Sequence, residues 1–190
     1  MSIGPTAKLI KQFSRNIENL FFMLLYREIS LKISQEFEDP LPILKRLGSI
    51  AAKTSCKQHK TILKLIKPKP TDLVNTITLV WYVVFGQEIE FEHEIIENTQ
   101  SDAQGIIIKI KKCPLCSGLD KEKYFNTLPL EKLKAHEDGY ACILLSMLEG
   151  ATNYIMTLHK QPYKIEAREI SCQLYGQSLF KLKFNMYKIV

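Results

Sequence analysis

The spacing of apolar residues changes three times along the chain, and these changes restrict the folds that it can form. Apolar positions first recur every three or four residues, as on one face of a helix, and then alternate as in a strand. The helical spacing returns once before two final strands. The predicted elements are, in order, helices over 6–37, 42–66 and 73–84, strands over 89–97 and 105–113, a helix over 140–160, and strands over 164–175 and 177–190.

Residue types that interrupt helices separate these elements. Pro40 ends the first helix, because proline cannot continue the hydrogen-bond ladder. The second helix is expected to break near Gly48 or Ser55, and Thr71 or Asp72 is expected to cap the third. This order of elements predicts a single α+β domain with a four-stranded antiparallel sheet.

The composition is that of an ordinary globular protein. The chain has 190 residues, of which 46% are hydrophobic and 24% charged, so it can bury a core without cross-links. Five cysteines is an odd number, and the first residues lack the apolar segment of a secretory signal. Both features indicate a reducing, cytoplasmic setting. The net charge of +6 leaves peripheral contact with an anionic membrane open, whereas nucleic acid is not expected because no recognition motif is found.

Four stretches of the sequence together resemble one known superfamily. It comprises the small core subunits of the transport protein particle (TRAPP) complexes and the vinyl-reductase-type sensor domains. The order and spacing of the four stretches carry the resemblance. They are ENLFFMLLYREISLKISQEFEDPLPILKRLG over 18–48, NTITLVWYVVFG over 75–86, IIIKIKKCPL over 106–115 and YACILLSMLEGA over 140–151.

The resemblance implies an α/β plait over residues 18–190, preceded by a helical extension over 1–17. It also implies dimerisation through the N-terminal helices and a hydrophobic tunnel that takes acyl chains or other apolar ligands. TRAPP-type subunits form platforms that tether vesicles and act on small GTPases, so related subunits and a GTPase are the implied partners. No catalytic centre is implied, and the sequence has no catalytic motif, so an enzyme is not expected.

Part of a zinc site is also implied by the resemblance. The metal-bearing sensor branch has a cysteine at the start of its last helix, then Glu-x-x-Cys, a glycine and a further cysteine. Cys142, Glu169, Cys172 and Gly176 match this pattern, but Phe180 stands where the last cysteine would be.

Cys113 and Cys116 can replace that missing ligand, because their spacing lets two thiolates reach one ion. The alternative is that the cysteines are small buried apolar residues. Cys56 has no cysteine near it and is expected to be a plain thiol. The predicted zinc ligands are Cys113, Cys116, Cys142 and Cys172, with Glu169 as a further candidate.

Three other groups of residues are candidates for binding. Trp81, Phe85, Ile143 and Met147 either line a ligand pocket or are plain core, since both explain apolar residues at helical spacing. The first helix is apolar on more than one side, which predicts a dimer interface over Leu20, Phe21, Leu24 and Leu25. A basic stripe either contacts an anionic membrane or acidic partner, or is only a solvated face; it comprises Lys53, Lys57, Lys60, Lys64 and Lys67.

Three functions remain open from the sequence. The first is a non-catalytic TRAPP-like dimeric scaffold or adaptor for vesicle tethering, with a pocket for a hydrophobic ligand. The second is a sensor of a small hydrophobic ligand, held together by zinc, of the vinyl-reductase type. The third is an enzyme of unknown type, against which the missing catalytic motifs speak. A sensor is normally joined to an output domain, and no such domain is predicted from this sequence. The scaffold is therefore the favoured interpretation.

Overall fold

The computed structural model describes residues 5–68, 73–85, 88–97, 104–117, 119–134 and 139–189. Side chains are described from Leu20 onwards. The helices are α1 Pro5–Glu36, α2 Leu41–Gln58, α3 Lys60–Leu63, α4 Leu73–Phe85, α5 Lys121–Phe125, α6 Leu130–Lys134 and α7 Cys142–Leu158. The strands are β1 Glu92–Glu97, β2 Gln104–Ile110, β3 Tyr163–Ser171 and β4 Phe180–Lys188.

The four strands form one antiparallel sheet in the order β1-β2-β4-β3. Alternation along β4 divides the two faces of this sheet. Four apolar side chains point into the core, and Lys181 and Lys183 point the other way. The buried residues are Phe180, Leu182, Phe184 and Met186.

Helix α7 is the centre of the helical layer. It packs against β3 on one side and against α2 and α4 on others. The contact with α2 is close because Gly48 has no side chain: a Cβ there would overlap the carbonyl oxygen of Ile143. Gly150 of α7 faces Ala52 in the same way, and an added Cβ would lie 3.0 Å from the Ala52 Cβ.

The predicted α+β class and the four-stranded antiparallel sheet are confirmed, and several boundaries differ. The second helical stretch breaks at His59, whose φ of −102° and ψ of 19° leave the helical region, rather than at Gly48 or Ser55. Gly48 continues the helix, and its lack of a side chain allows α2 to pack closely on α7. No glycine or proline marks the break at His59.

The predicted elements leave the charged stretch over 117–138 as a connection, yet it contains α5 and α6. Asp120 begins α5 by accepting a hydrogen bond from the Lys123 amide at 3.2 Å, the geometry of an N-terminal cap. The second strand ends at Ile110 rather than Cys113, because Pro114 has no amide hydrogen and the chain turns there. Thr71, Asp72 and Gly86 lie outside the described residues.

Helix α1 runs without interruption across the predicted domain boundary between residues 17 and 18. The division into an extension over 1–17 and a domain over 18–190 therefore stays a prediction. Among the described helices, none combines the length and the hydropathy that crossing a membrane would require.

We predict that Gly48→Ala destabilises the protein. Alanine stabilises a helix by up to about 1 kcal/mol relative to glycine. The substitution would therefore raise the free energy of unfolding if position 48 had space for a methyl group. The overlap of the added methyl group with the Ile143 carbonyl should outweigh this gain in stability, since overpacking costs about 1–3 kcal/mol. Urea unfolding should show a lower free energy of unfolding for Gly48→Ala than for the wild type. Ser49→Ala, at an exposed neighbouring position, is the matched control; a stabilised Gly48→Ala would contradict the close packing.

Candidate functional site

The N-terminus of α7 is capped by side chains that are distant in sequence. No local side chain caps this helix. Instead the hydroxyl of Tyr26, on α1, accepts hydrogen bonds from the Ile143 amide at 3.2 Å and the Leu144 amide at 3.4 Å. The same hydroxyl donates to the carbonyl oxygen of Tyr140 at 2.8 Å. Tyr26 is 4% exposed, so these bonds are shielded from water.

A buried carboxylate completes the capping. Glu169 lies on the core-facing side of β3, where the register shifts between Glu169 and Ser171. Its Oε2 accepts a hydrogen bond from the Ala141 amide at 2.6 Å, and Gly139 leaves the space that this carboxylate occupies. A negative charge at this end of a helix is also favoured by the helix dipole.

Three cysteines come together next to this helix end. Cys113 and Cys116 lie in the turn that follows β2, and Cys172 follows β3. Their three sulfur atoms lie within 4.8 Å of one another, and each residue is at most 2% exposed. We call Cys113, Cys116 and Cys172 the thiol cluster.

Gln173 holds the two segments of the thiol cluster in place. Its Oε1 accepts a hydrogen bond from the Cys113 amide at 3.2 Å, and its Nε2 donates to the Lys111 carbonyl at 2.9 Å. The turn itself is closed by the Ser117 amide, which donates to the Cys113 carbonyl at 3.0 Å. The neighbouring Lys121 donates to the Gln173 carbonyl at 2.6 Å.

The thiols of the cluster are electrostatically unequal. Hydrogen bonds from Cys113 and Cys172 lower the pKa of Cys116 to about 4, and the charge of Lys121 acts in the same direction. Burial raises the pKa of Cys113 well above its usual value. The three thiols therefore differ in acidity, and Cys116 is the most acidic of them.

Tyr140 lies in the turn before α7. It is 0% exposed, and its hydroxyl has no hydrogen-bond partner within the described part of the chain. Its amide donates to the hydroxyl of Tyr175, three residues after Cys172, so this turn adjoins the connection that carries Cys172. Burial raises the pKa of Tyr140, and the charges of Cys116, Cys113 and Cys172 raise it further.

The structure brings together three of the four predicted zinc ligands. Cys142 is buried but does not belong to the group of sulfurs within 4.8 Å of one another. The carboxylate of Glu169 also lies outside that group and caps α7. Phe180 is fully buried in the core, as its place on the inner face of β4 requires.

The predicted pocket residues are divided between different places. Trp81 lines a small cavity of about 10 Å³ between α4 and the sheet. Met147 lines a second cavity of about 50 Å³ between α2, α4 and α7. Ile143 is buried and lines neither of these two cavities, and the side chain of Phe85 lies outside the described residues.

Cys56 lines the second cavity, a position that the sequence reasoning missed. The other lining residues are Ala52, Ser55, Leu63, Val80, Met147, Ala151 and Ile155. Burial raises the pKa of the Cys56 thiol. The burial of Cys56 could have been predicted, because Leu44, Gly48, Ala52 and Cys56 recur every four residues along the buried face of α2.

The remaining predicted residues lie at the surface. Leu20, Phe21 and Leu25 are exposed on α1, and Leu24 is half-buried. All five lysines of the basic stripe are exposed, although the helix break at His59 divides them between α2, α3 and the residues that follow. Their contact with an anionic membrane or an acidic partner stays a prediction.

Comparison with known proteins reveals a shared fold. The sequence matches no protein-family model, and no curated protein matches it. A similar solved structure is that of a trafficking protein particle complex subunit 3 from Naegleria fowleri, covalently bound to palmitic acid. The two share 13% sequence identity and superpose with a TM-score of 0.59, over 92% of this chain and 98% of the other. This likeness confirms the TRAPP-like fold; it does not extend to the vinyl-reductase-type domains.

We predict that Tyr26→Phe destabilises the protein by about 1–3 kcal/mol, because it leaves buried amides of α7 without an acceptor. For a chain of this length the melting temperature should fall by roughly 2–4 °C per kcal/mol. Tyr82→Phe removes a hydroxyl from an exposed ring on α4 and is the matched control. Equal melting temperatures for the two variants would show that Tyr26 does not cap α7.

Proposed function

We propose that this protein is a non-catalytic, TRAPP-like scaffold subunit that pairs with a second subunit, either a copy of itself or a related chain. The observation that carries the proposal is the fold shared with the trafficking particle subunit over nearly the whole of both chains. Vesicle tethering, contact with a small GTPase and a place at the membrane periphery follow as parts of this proposal.

The apolar surface of α1 supports the pairing. Phe21 is 67% exposed, Leu25 is 47% exposed and Leu20 is 42% exposed, all within two turns of one helix. Large apolar side chains grouped in this way are typical of interaction surfaces, because their burial on association stabilises the complex. We assign this surface to the partner subunit.

We predict that the wild-type protein is a dimer at micromolar concentration and that Phe21→Asp combined with Leu25→Asp makes it monomeric. A charge in an apolar interface would be desolvated without a partner, which opposes association. Sedimentation velocity measures the state directly. Lys32→Asp, an exposed position on the same helix, should leave the dimer intact. A monomeric wild type would contradict self-pairing and leave only pairing with a related chain, to be tested by co-expression.

We further propose that the cavity at Cys56 is the entrance for an apolar ligand. The similar trafficking subunit is covalently bound to palmitic acid. In this chain Cys56 is the cysteine that lines a described cavity, and its neighbours there are almost all apolar. The cavity of about 50 Å³ is far smaller than an acyl chain, so the side chains that line it must move apart to admit one. Attack of the Cys56 thiol on an acyl-coenzyme A would form a thioester and release coenzyme A.

We predict that incubation with palmitoyl-coenzyme A adds one palmitoyl group to the wild type and none to Cys56→Ser. Intact-mass spectrometry measures the addition, and neutral hydroxylamine should remove it because it cleaves thioesters. Cys142→Ser, another buried cysteine that lines neither cavity, should be acylated like the wild type. Equal labelling of Cys56→Ser and wild type would exclude Cys56 as the acylated residue.

The zinc-stapled sensor of small hydrophobic ligands is the second candidate. The thiol cluster favours it, because buried cysteines from two segments can hold a metal. The ligand set differs from the one that the sensor branch would provide, since Cys142 and Glu169 lie outside the cluster. We therefore place the scaffold first.

A further inference from the structure

The geometry of the thiol cluster is close to that of a metal site. Zinc–sulfur bonds of about 2.3 Å in a tetrahedron place neighbouring sulfurs about 3.8 Å apart. The sulfurs of Cys113, Cys116 and Cys172 already lie within 4.8 Å of one another, so contraction by about 1 Å or less would bring them to this spacing. Side-chain rotation alone can supply such a movement.

The simplest alternative is that the three cysteines are plain apolar core. The hydroxyl of Tyr140 argues against it. A buried hydroxyl without a partner costs about 1–3 kcal/mol, and this one is fully buried with no partner among the described residues. The Tyr140 amide donates to the hydroxyl of Tyr175, three residues after Cys172, so the turn that carries Tyr140 adjoins the connection that carries Cys172. An ion held by the sulfurs would give the oxygen a partner and remove that cost.

We propose that Cys113, Cys116 and Cys172 bind one zinc ion as thiolates and that the hydroxyl of Tyr140 occupies the fourth position. With all three cysteines deprotonated, the loaded site carries one net negative charge while Tyr140 keeps its proton. Lys121 supplies a cation nearby, since it donates to the carbonyl oxygen of Gln173, the residue after Cys172, at 2.6 Å.

Such an ion would join two segments that the backbone leaves separate. The turn after β2 and the connection between β3 and β4 are linked at this point by the Gln173 side chain. The proposed site differs from the ligand set predicted from the sequence, in which Cys142 was the fourth ligand. It is independent of the scaffold proposal, because dimerisation and acylation can each fail without affecting it.

The test uses the full chain, purified under reducing conditions without added metal or chelator. Elemental analysis and native mass spectrometry should show about one zinc per chain, which a chelator removes. Replacement with Co²⁺ should give the intense near-ultraviolet band of cobalt–thiolate bonds and the visible bands of a four-coordinate ion. If the reduced wild type shows no such band with Co²⁺ and holds no zinc, the site does not exist.

Single substitutions assign the ligands. Cys113→Ser, Cys116→Ser and Cys172→Ser should each weaken Co²⁺ binding by more than the roughly 10–100-fold typical of an outer-shell change. Tyr140→Phe should weaken it and shift the visible bands. Cys56→Ser and Cys142→Ser are the matched controls and should bind like the wild type. Loss of binding in Cys142→Ser to the same extent as in Cys116→Ser would overturn the assignment.

Two further readouts keep the result clear. Far-ultraviolet circular dichroism of each variant separates loss of a ligand from loss of the fold. If a cysteine variant does not fold, the cobalt spectra of the wild type and of Tyr140→Phe still decide whether the metal site exists. A wild-type mass lower by the two hydrogens of a disulfide, in zinc-free protein purified under the same reducing conditions, would instead identify a stable disulfide and overturn the metal site.

Discussion

The capping of α7 by distant side chains is the interaction on which the rest of the structure depends. A helix leaves its first amides without partners inside the helix, and those of α7 are buried. They are satisfied by Tyr26 of α1 and by Glu169 of β3, while the hydroxyl of Tyr175 accepts from the Tyr140 amide at 3.1 Å. One helix end thereby joins the N-terminal helix, the sheet and the turn after β3.

The other features of the molecule are arranged around this helix. Its middle part packs on Gly48 and Ala52 of α2, and the cavity at Cys56 lies along the same contact. The thiol cluster lies at its beginning, and the apolar surface of α1 begins within two turns of Tyr26. The partner, the apolar ligand and the ion that we propose would occupy separate places in this arrangement.

The fold could be predicted from the sequence largely because burial imposes a period on each element. The alternation along β4 and the four-residue repeat on the buried face of α2 both follow from one face meeting the core. The break at His59 could not be predicted, since no helix-breaking residue stands there. The capping role of Tyr26 could not be predicted either, because nothing local indicates a hydrogen bond to a residue more than a hundred positions away.

The candidate site was predictable only in part, for a related reason. The spacing of Cys113 and Cys116 predicts a turn with two neighbouring sulfurs, and Cys172 was expected nearby from the resemblance. The fourth position depends on how α7 is rotated as it begins. Tyr140 lies in the turn before α7, whose N-terminal cap is Ala141, whereas Cys142 is the first residue of the helix. Which of these two side chains faces the thiol cluster cannot be predicted from the sequence.

The distance in sequence between Tyr26 and its partners also bears on how the chain is made. The capping bonds span 117 and 118 residues, and Glu169 and Tyr175 follow α7 in the chain. The first turn of α7 is therefore synthesised before two of its three capping side chains. Contacts between such distant segments form slowly, because the entropy of closing the loop must be overcome first. Consolidation of this helix end, and with it the joining of the N-terminal helix to the sheet, belongs to the last stage of synthesis and folding.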